Sequence, residues 1–323
     1  MLMKSRIIYL LPIFVLMLFS ACTKDVSIDF PETESKTIVD GTISLGEPAL
    51  LFLTRSQSFN QPLDPSSLQG LFENDADVRL SNGTDTIQLT EICANELDPV
   101  TLALVAEQLG IEPEDLQDID YCAYFDLLAQ MPGEVDTDYV LDITTMDGRK
   151  LHAETRIASA VPLDSLWFQF WAGSDSLGFI YALLDDPVDV RNAYRWRGQR
   201  INSYPDGTQK DFGFISPFGS HFEDRFFDGL SFEIFFNRGN VPNSSAEDDN
   251  NEEDGFYKLN DTVVIEFSNT TLAAYNYWSI SDDQLINNGS PFAVPANVPS
   301  NVEGGLGLWA GYAPALDTVI CVP

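Results

Sequence analysis

The sequence predicts a mainly β fold: an N-terminal immunoglobulin-like antiparallel β-sandwich carrying a helical insertion, then a second antiparallel β-sandwich or barrel-like domain with one helix. Three observations carry this prediction. Short runs of alternating apolar and polar residues recur along most of the chain, which is the period of a half-buried strand. Asn82-Gly83 and Asp147-Gly148 each separate two such runs, and these dipeptides tolerate the positive φ angles of a tight hairpin. Helical periodicity is confined to residues 95–133 and 268–285.

The first segment is an address. Lys4 and Arg6 precede an apolar run from Ile7 to Phe19, which falls short of the ~20 residues a membrane-spanning helix needs. Residues 1–21 therefore read as a secretory signal that is removed. Leu18-Phe19-Ser20-Ala21-Cys22 has the form of a lipobox, so Cys22 is the expected lipidation site and the expected link to the membrane. Residues 22–35, polar and acidic with Asp25, Asp29, Glu32 and Glu34, read as a tether.

Residues 36–160 form the expected first domain. Thr37 to Ile43 and Ala49 to Leu53 are expected to pair across Gly46-Glu47-Pro48. Hairpins follow around Asn82-Gly83 and Asp147-Gly148. The insertion, residues 95–133, opens with Asp98-Pro99 as N-cap and first helical residue, and Gly110 ends that helix. Pro113 opens a second helix with Leu116, Ile119, Tyr124, Leu127 and Leu128 on its apolar side. Residues 161–323 form an aromatic-rich second domain. Its expected strands are 166–171, 179–184, 193–201, 212–215, 230–236 and 262–267, followed by a helix capped by Asn269. Leu306, Leu308 and Tyr312 are expected in its closing strand, with Gly304, Gly305, Gly307 and Gly311 permitting close backbone approach.

Charge and cysteine usage restrict function. The 323 residues hold 17 basic and 50 acidic side chains, a net charge of −33, so nucleic acid and anionic lipid headgroups are excluded as electrostatic partners. With Cys22 lipidated, Cys93, Cys122 and Cys321 remain. Cys93 and Cys122 bracket a segment of moderate length, leaving open a disulfide between them or three separate buried thiols. No cysteine spacing forms a metal site, and no cofactor motif occurs. The glycine run lacks the Gly-Lys-Ser/Thr of a phosphate loop. His152 and His221 are the only histidines, which leaves few members for a triad or a multi-histidine metal centre. The acidic run 248–255 fails the register of a calcium loop. One cluster stands out as a ligand-binding candidate: Arg195 and Arg197 alternating with Tyr194 and Trp196 on one strand. Arginine forks and aromatic faces suit carboxylates, peptides or sugars, although arginines on a solvent-facing strand also pair with acidic neighbours.

Residues 36–43, Lys-Thr-Ile-Val-Asp-Gly-Thr-Ile, the Val161 to Leu166 junction, Pro291-Phe292 and the run Asn301 to Tyr312 resemble a family of Bacteroidota lipoproteins that carry a domain of unknown function. Thr23-Lys24-Asp25 is similar in part to the signal that sends such lipoproteins to the cell surface. The resemblance implies an outer-membrane, surface-exposed protein whose partner is a TonB-dependent receptor and whose role is nutrient capture. It transfers no catalytic residue. The expectation is a non-enzymatic ligand-binding accessory to that transporter, its ligand unspecified. Two alternatives make different demands. A carboxylate-dependent hydrolase of glycan or peptide requires two facing carboxylates in an aromatic cleft; an adhesin or envelope scaffold requires a flat surface without a ligand-sized cavity.

Overall fold

Strand β1 (Thr37–Ser44) alternates along its length, turning Val39 and Ile43 inward and Asp40, Thr42 and Ser44 outward. The computed structural model describes residues 34–57, 70–109, 112–118, 121–239, 253, 255–287 and 296–323. Within it, β1 pairs antiparallel with β2 (Leu50–Arg55) across the expected turn. On its other edge it pairs in parallel with the last strand, β17 (Leu306–Ile320).

This seam is the middle of an eight-stranded sheet. Beyond β2 lie β6 (Cys122–Phe125) and β5 (Thr90–Cys93); beyond β17 lie β15 (Thr262–Thr270), β11 (Ala193–Arg200) and β12 (His221–Glu223). Two smaller sheets share its inner side. The first contains β3 (Asp77–Ser81), β4 (Thr86–Gln88), β7 (Thr137–Thr144), β8 (Lys150–Ile157) and the short β16 (Val302–Glu303). The core it helps to form buries Val39, Leu51, Leu80, Leu141 and Trp309. The second contains β9 (Ser165–Phe170), β10 (Leu177–Asp185), β13 (Ser231–Phe236) and β14 (Tyr257–Lys258). Its core buries Ile180, Trp196, Phe236, Ile265 and Phe267.

The protein is thus mainly β and built from packed, largely antiparallel sheets, as the alternation predicts. Each expected half has its own core, but the boundary at 160/161 does not divide the central sheet, which draws strands from both sides of it. β17, expected to close the second half, lies between the two halves. Glycine makes this possible at Gly307 (φ +98°), where a Cβ would stand 2.0 Å from the Val39 carbonyl oxygen. Both predicted hairpin turns are present, with Gly83 at φ +85° and Gly148 at φ +86°. The expected strand at 212–215 is reduced to a bridge between Gly198 and Ile215, because the adjoining Asp211 is drawn inward to the Arg200 guanidinium.

Helix α1 (Pro99–Leu109) begins as expected, its free N–H groups at Val100 and Thr101 donating to Asp98 Oδ1 at 3.0 and 3.2 Å. Helix α2 (Pro113–Asp118) is shorter than expected. Tyr124 lies instead on β6, and Leu127 and Leu128 lie exposed in the following turn. The sheet overrides helical periodicity here because Cys122–Phe125 alternates and enters the ladder between β2 and β5. Gly110 and Ile119 lie outside the described residues. In the second half, α3 (Leu272–Ile286) is capped by Thr271, whose Oγ accepts from the Ala274 N–H at 3.2 Å. Asn269 is not the cap: it lies within β15, and its side-chain amide donates to Ser159 and Asn192 at 3.0 Å. Among the described residues, no helix is long and apolar enough to cross a membrane.

Cys93 and Cys122 face each other across β5 and β6 and form a disulfide, closing the loop that carries α1 and α2. Cys321 is a buried thiol whose pKa burial pushes up to about 12. Replacing both bridged cysteines with alanine should lower stability by about 2–4 kcal/mol, since the cross-link limits the unfolded chain. The effect should centre on residues 94–121, so limited proteolysis should nick that segment first; an unchanged cleavage pattern would show that packing alone holds the insertion.

Candidate functional site

The inner face of the central sheet is used up by the two cores, so any recognition surface on this sheet must use its outer face. Strand alternation and ladder register assemble that face. β1 contributes Asp40, Thr42 and Ser44, opposite Leu308, Ala310 and Tyr312 of β17. β15 contributes Glu266 and Ser268, opposite Arg197 and Arg195 of β11. Helix α3 roofs this end, packing Ala274 against Leu308, Ala310 and Tyr312. The insertion roofs the other end, where Val105 and Tyr121 approach Phe52, Ile92 and Phe125.

Under α3 the polar groups converge on Arg195. Its guanidinium stacks 3.8 Å from the Trp278 ring centroid and donates to the Tyr312 hydroxyl and to Ser216 Oγ, both at 3.3 Å. The Trp278 indole N–H donates to the same Tyr312 oxygen at 2.9 Å. A cavity of about 110 Å³ opens beside these groups, edged by Thr42, Ser44 and Ser268. Arg195 forms no ion pair among the described residues, so its charge remains available to a ligand. That charge reaches Asp40, where it opposes the upward pKa shift produced by burial. It also reaches His221, whose pKa burial lowers and the Arg195 charge lowers further, against the opposing pull of Asp282 at 3.5 Å.

The four residues singled out from sequence divide by face. Arg195 and Arg197 point outward; Tyr194 and Trp196 point into the core. Tyr194 stacks on Phe267 at 5.0 Å and donates its hydroxyl to Asp186 at 2.5 Å, while Trp196 meets Phe236 edge-on at 4.9 Å. Arg197 is closed off by a two-point pairing with Glu266 at 2.7 and 2.9 Å. Of the four, Arg195 is the one that points outward and forms no ion pair among the described residues. Cys22 lies outside the described residues.

Asp40 was the residue that motif reasoning passed over. Its signal is the one charged side chain of its strand, placed in the middle, where aspartate is disfavoured. Burial raises its pKa, and its charge in turn helps to raise the Tyr121 and Tyr277 phenols, chiefly shifted by their own burial. Asp40 thus stands between the insertion and α3.

Other polar clusters are committed to the fold. Oxygens of Asp186, Asp224 and Asp228 all lie within 4.8 Å of one another. Asp186 already accepts from Tyr194 and from the Gly229 N–H at 3.0 Å, and Asp224 accepts from the Asn192 N–H at 2.5 Å, so these groups tie loops together. His152 bonds to Asp142 at 2.8 Å on an exposed strand, which raises its pKa. Of the acidic run, Glu253 is buried against Arg200 and Lys258; residues 248–252 and Asp254 lie outside the described residues. On the outer face of the smaller β10 sheet, Trp167 stacks on Tyr181 at 6.0 Å, and Phe179 meets Trp171, Phe235 and Phe256 at 5.6, 5.6 and 5.1 Å. Trp171 and Phe235 of this cluster are exposed.

Fold and site together define a mainly β protein whose central sheet carries a recessed surface between two helical roofs. The chain belongs to the family described as Domain of unknown function (DUF4249), which it matches over residues 23–316. No curated protein matches it. Among solved structures, the cycloalternan-degrading enzyme from Trueperella pyogenes in complex with cycloalternan is similar at a TM-score of 0.24 and 10% identity. That similarity covers 78% of this chain and 36% of the other, so this chain spans about a third of that length, and nothing about activity follows from it.

Proposed function

We propose that this protein is a surface-exposed outer-membrane lipoprotein of Bacteroidota, anchored through Cys22, that holds a ligand for a TonB-dependent nutrient transporter without transforming it. The observation that carries the reading is the recess on the outer face of the central sheet. It holds Arg195, which forms no ion pair among the described residues, and Asp40, whose carboxylate accepts no hydrogen bond among them. A site that binds needs such groups fixed on rigid strands with a roof to limit solvent, and no nucleophile and base are needed beside them. The aromatic face around Trp171 and Phe235 supports the reading too, since clustered exposed aromatics favour contact with a partner. The transporter and the membrane rest on the lipobox and the family resemblance.

The test is affinity isolation of the lipidated protein from its native outer membrane, with Cys22→Ala as control. A TonB-dependent receptor should copurify in stoichiometric amount with the lipidated form. Recovery of the protein alone, while still exposed at the surface, would remove the transporter from the reading.

A further inference from the structure

Beneath the insertion lies a cavity of about 520 Å³, within the range of small-molecule sites. Phe52, Ile92, Ala123 and Phe125 form its floor on three adjacent strands, and Val105 and Tyr121 face them from the insertion. Water in such a space finds few polar partners, whereas an apolar body fills it well. The disulfide at its edge joins Cys93, next to Ile92, to Cys122, next to Ala123, so two floor strands are cross-linked at the points where the roof segment leaves and rejoins them.

One charged group lies on the neighbouring strand, next to the lining residue Phe52 and outside the lining itself. Asp40 is the direct cross-strand partner of Phe52, which brings their Cβ atoms to about 4.5–5.5 Å. Among the described residues, no donor hydrogen-bonds its carboxylate and no cation pairs with it. Arg195, the cation whose field reaches it, is held on Trp278, Tyr312 and Ser216 at the other end of the recess. This carboxylate is exposed on a central strand and has no protein partner among the described residues, so a positively charged group from outside can reach it. The rings of Phe52 and Tyr121 would add their own attraction for a cation. The net charge of −33 favours the approach of a cation and opposes that of an anion.

We propose that this cavity binds an organic cation, with an aromatic or branched aliphatic body on the Phe52–Phe125 floor and an ammonium group on the Asp40 carboxylate. The inference rests on the ligand-holding role above and names its ligand class.

Three probes with one ring system separate the contributions: 1-naphthylmethylammonium, 1-naphthalenemethanol and 1-naphthoate. Each is titrated calorimetrically into the lipidated protein in phosphatidylcholine nanodiscs, with empty nanodiscs subtracted. The ammonium should bind about tenfold more tightly than the alcohol, as a charge-assisted contact implies, and the carboxylate should bind weakest. Ala123→Phe, which fills the floor, should abolish binding of all three. Asp40→Asn, at an exposed position of β1, should keep alcohol binding and erase the preference for the ammonium. It decides the matter independently if Ala123→Phe fails to fold. Absence of saturable binding, binding unchanged by Ala123→Phe in a folded variant, preference for the carboxylate, or an ammonium preference that survives Asp40→Asn would each overturn the proposal. Receptor copurification is scored separately. A failed titration beside an intact receptor complex removes only the ligand class, and a lost complex leaves the titration result standing.

Discussion

Replacing Arg200 with methionine should destabilise the protein by about 3–5 kcal/mol, because it strands buried carboxylates whose cation has gone. Arg200 has a side chain only 1% exposed, and its guanidinium donates to Asp211 at 2.9 Å and to Glu253, with Asp261 at 3.9 Å. The buried Arg238 and the more accessible Lys258 and Lys210 bind the same three acids at 3.1, 3.1 and 2.5 Å, which keeps the loss from being larger. Burial alone would raise the Asp211 and Glu253 pKa values, yet both are lowered, with hydrogen bonds from Arg200 and, for Glu253, Lys258 outweighing it. A depressed carboxylate stabilises the fold above its unfolded value, here 3.8 for Asp and 4.5 for Glu, and loses that contribution as pH falls toward the folded value. The difference between Arg200→Met and the native protein should therefore be widest at neutral pH and narrow below about pH 4. Urea unfolding at several pH values measures it. A difference that stayed constant on acidification would show that Arg200 acts through packing of its stem and not through its charge.

This network also shows where sequence reading stops. Arg200 lies at the end of the same strand, β11, as the arginine–aromatic cluster. Strand alternation puts Arg200 on the inward side with Tyr194 and Trp196 and Arg195 on the outward side, but it does not say which acids an inward arginine meets. Its three acids come from residues 211, 253 and 261, brought together only by the tertiary fold. Where the determinant was local, the sequence was legible: Gly83 and Gly148 marked their hairpins, and Asp98 marked the start of α1. Tyr124 was misread because a four-residue strand following a short helix carries too little periodicity to announce itself, and its place is decided by the ladder partners Leu51 and Glu91. Within the candidate site, the alternation of Arg195 and Arg197 with two aromatics was visible. The recess around them was not, since its floor is built by strands from both ends of the chain.

The parallel seam between β1 and β17 is the least local feature of all, and Gly41 and Trp309 give the means to test it. They are cross-strand partners, and the Trp309 ring lies over the glycine: a Cβ built at residue 41 would stand 2.8 Å from Trp309 Cε3 and 3.0 Å from Leu51 Cβ. Trp309 is fully buried, and its indole N–H donates to the Tyr139 carbonyl at 3.1 Å, tying β17 to the β7–β8 sheet as well. Trp309→Ala should cost about 3–5 kcal/mol through the cavity it leaves and the carbonyl it orphans. Gly41→Ala should cost about 1–3 kcal/mol through overpacking. In the double variant the new methyl enters space the ring has vacated, so the combined loss should fall short of the sum by about 0.5–3 kcal/mol. Because the seam joins strands packed on both cores, each variant should shift one shared transition, seen alike by far-ultraviolet dichroism and by fluorescence of the remaining tryptophans. Additive losses would mean that Gly41 is required for its backbone alone. Two separated transitions would mean that the two cores fold independently and that the shared sheet is the weaker joint.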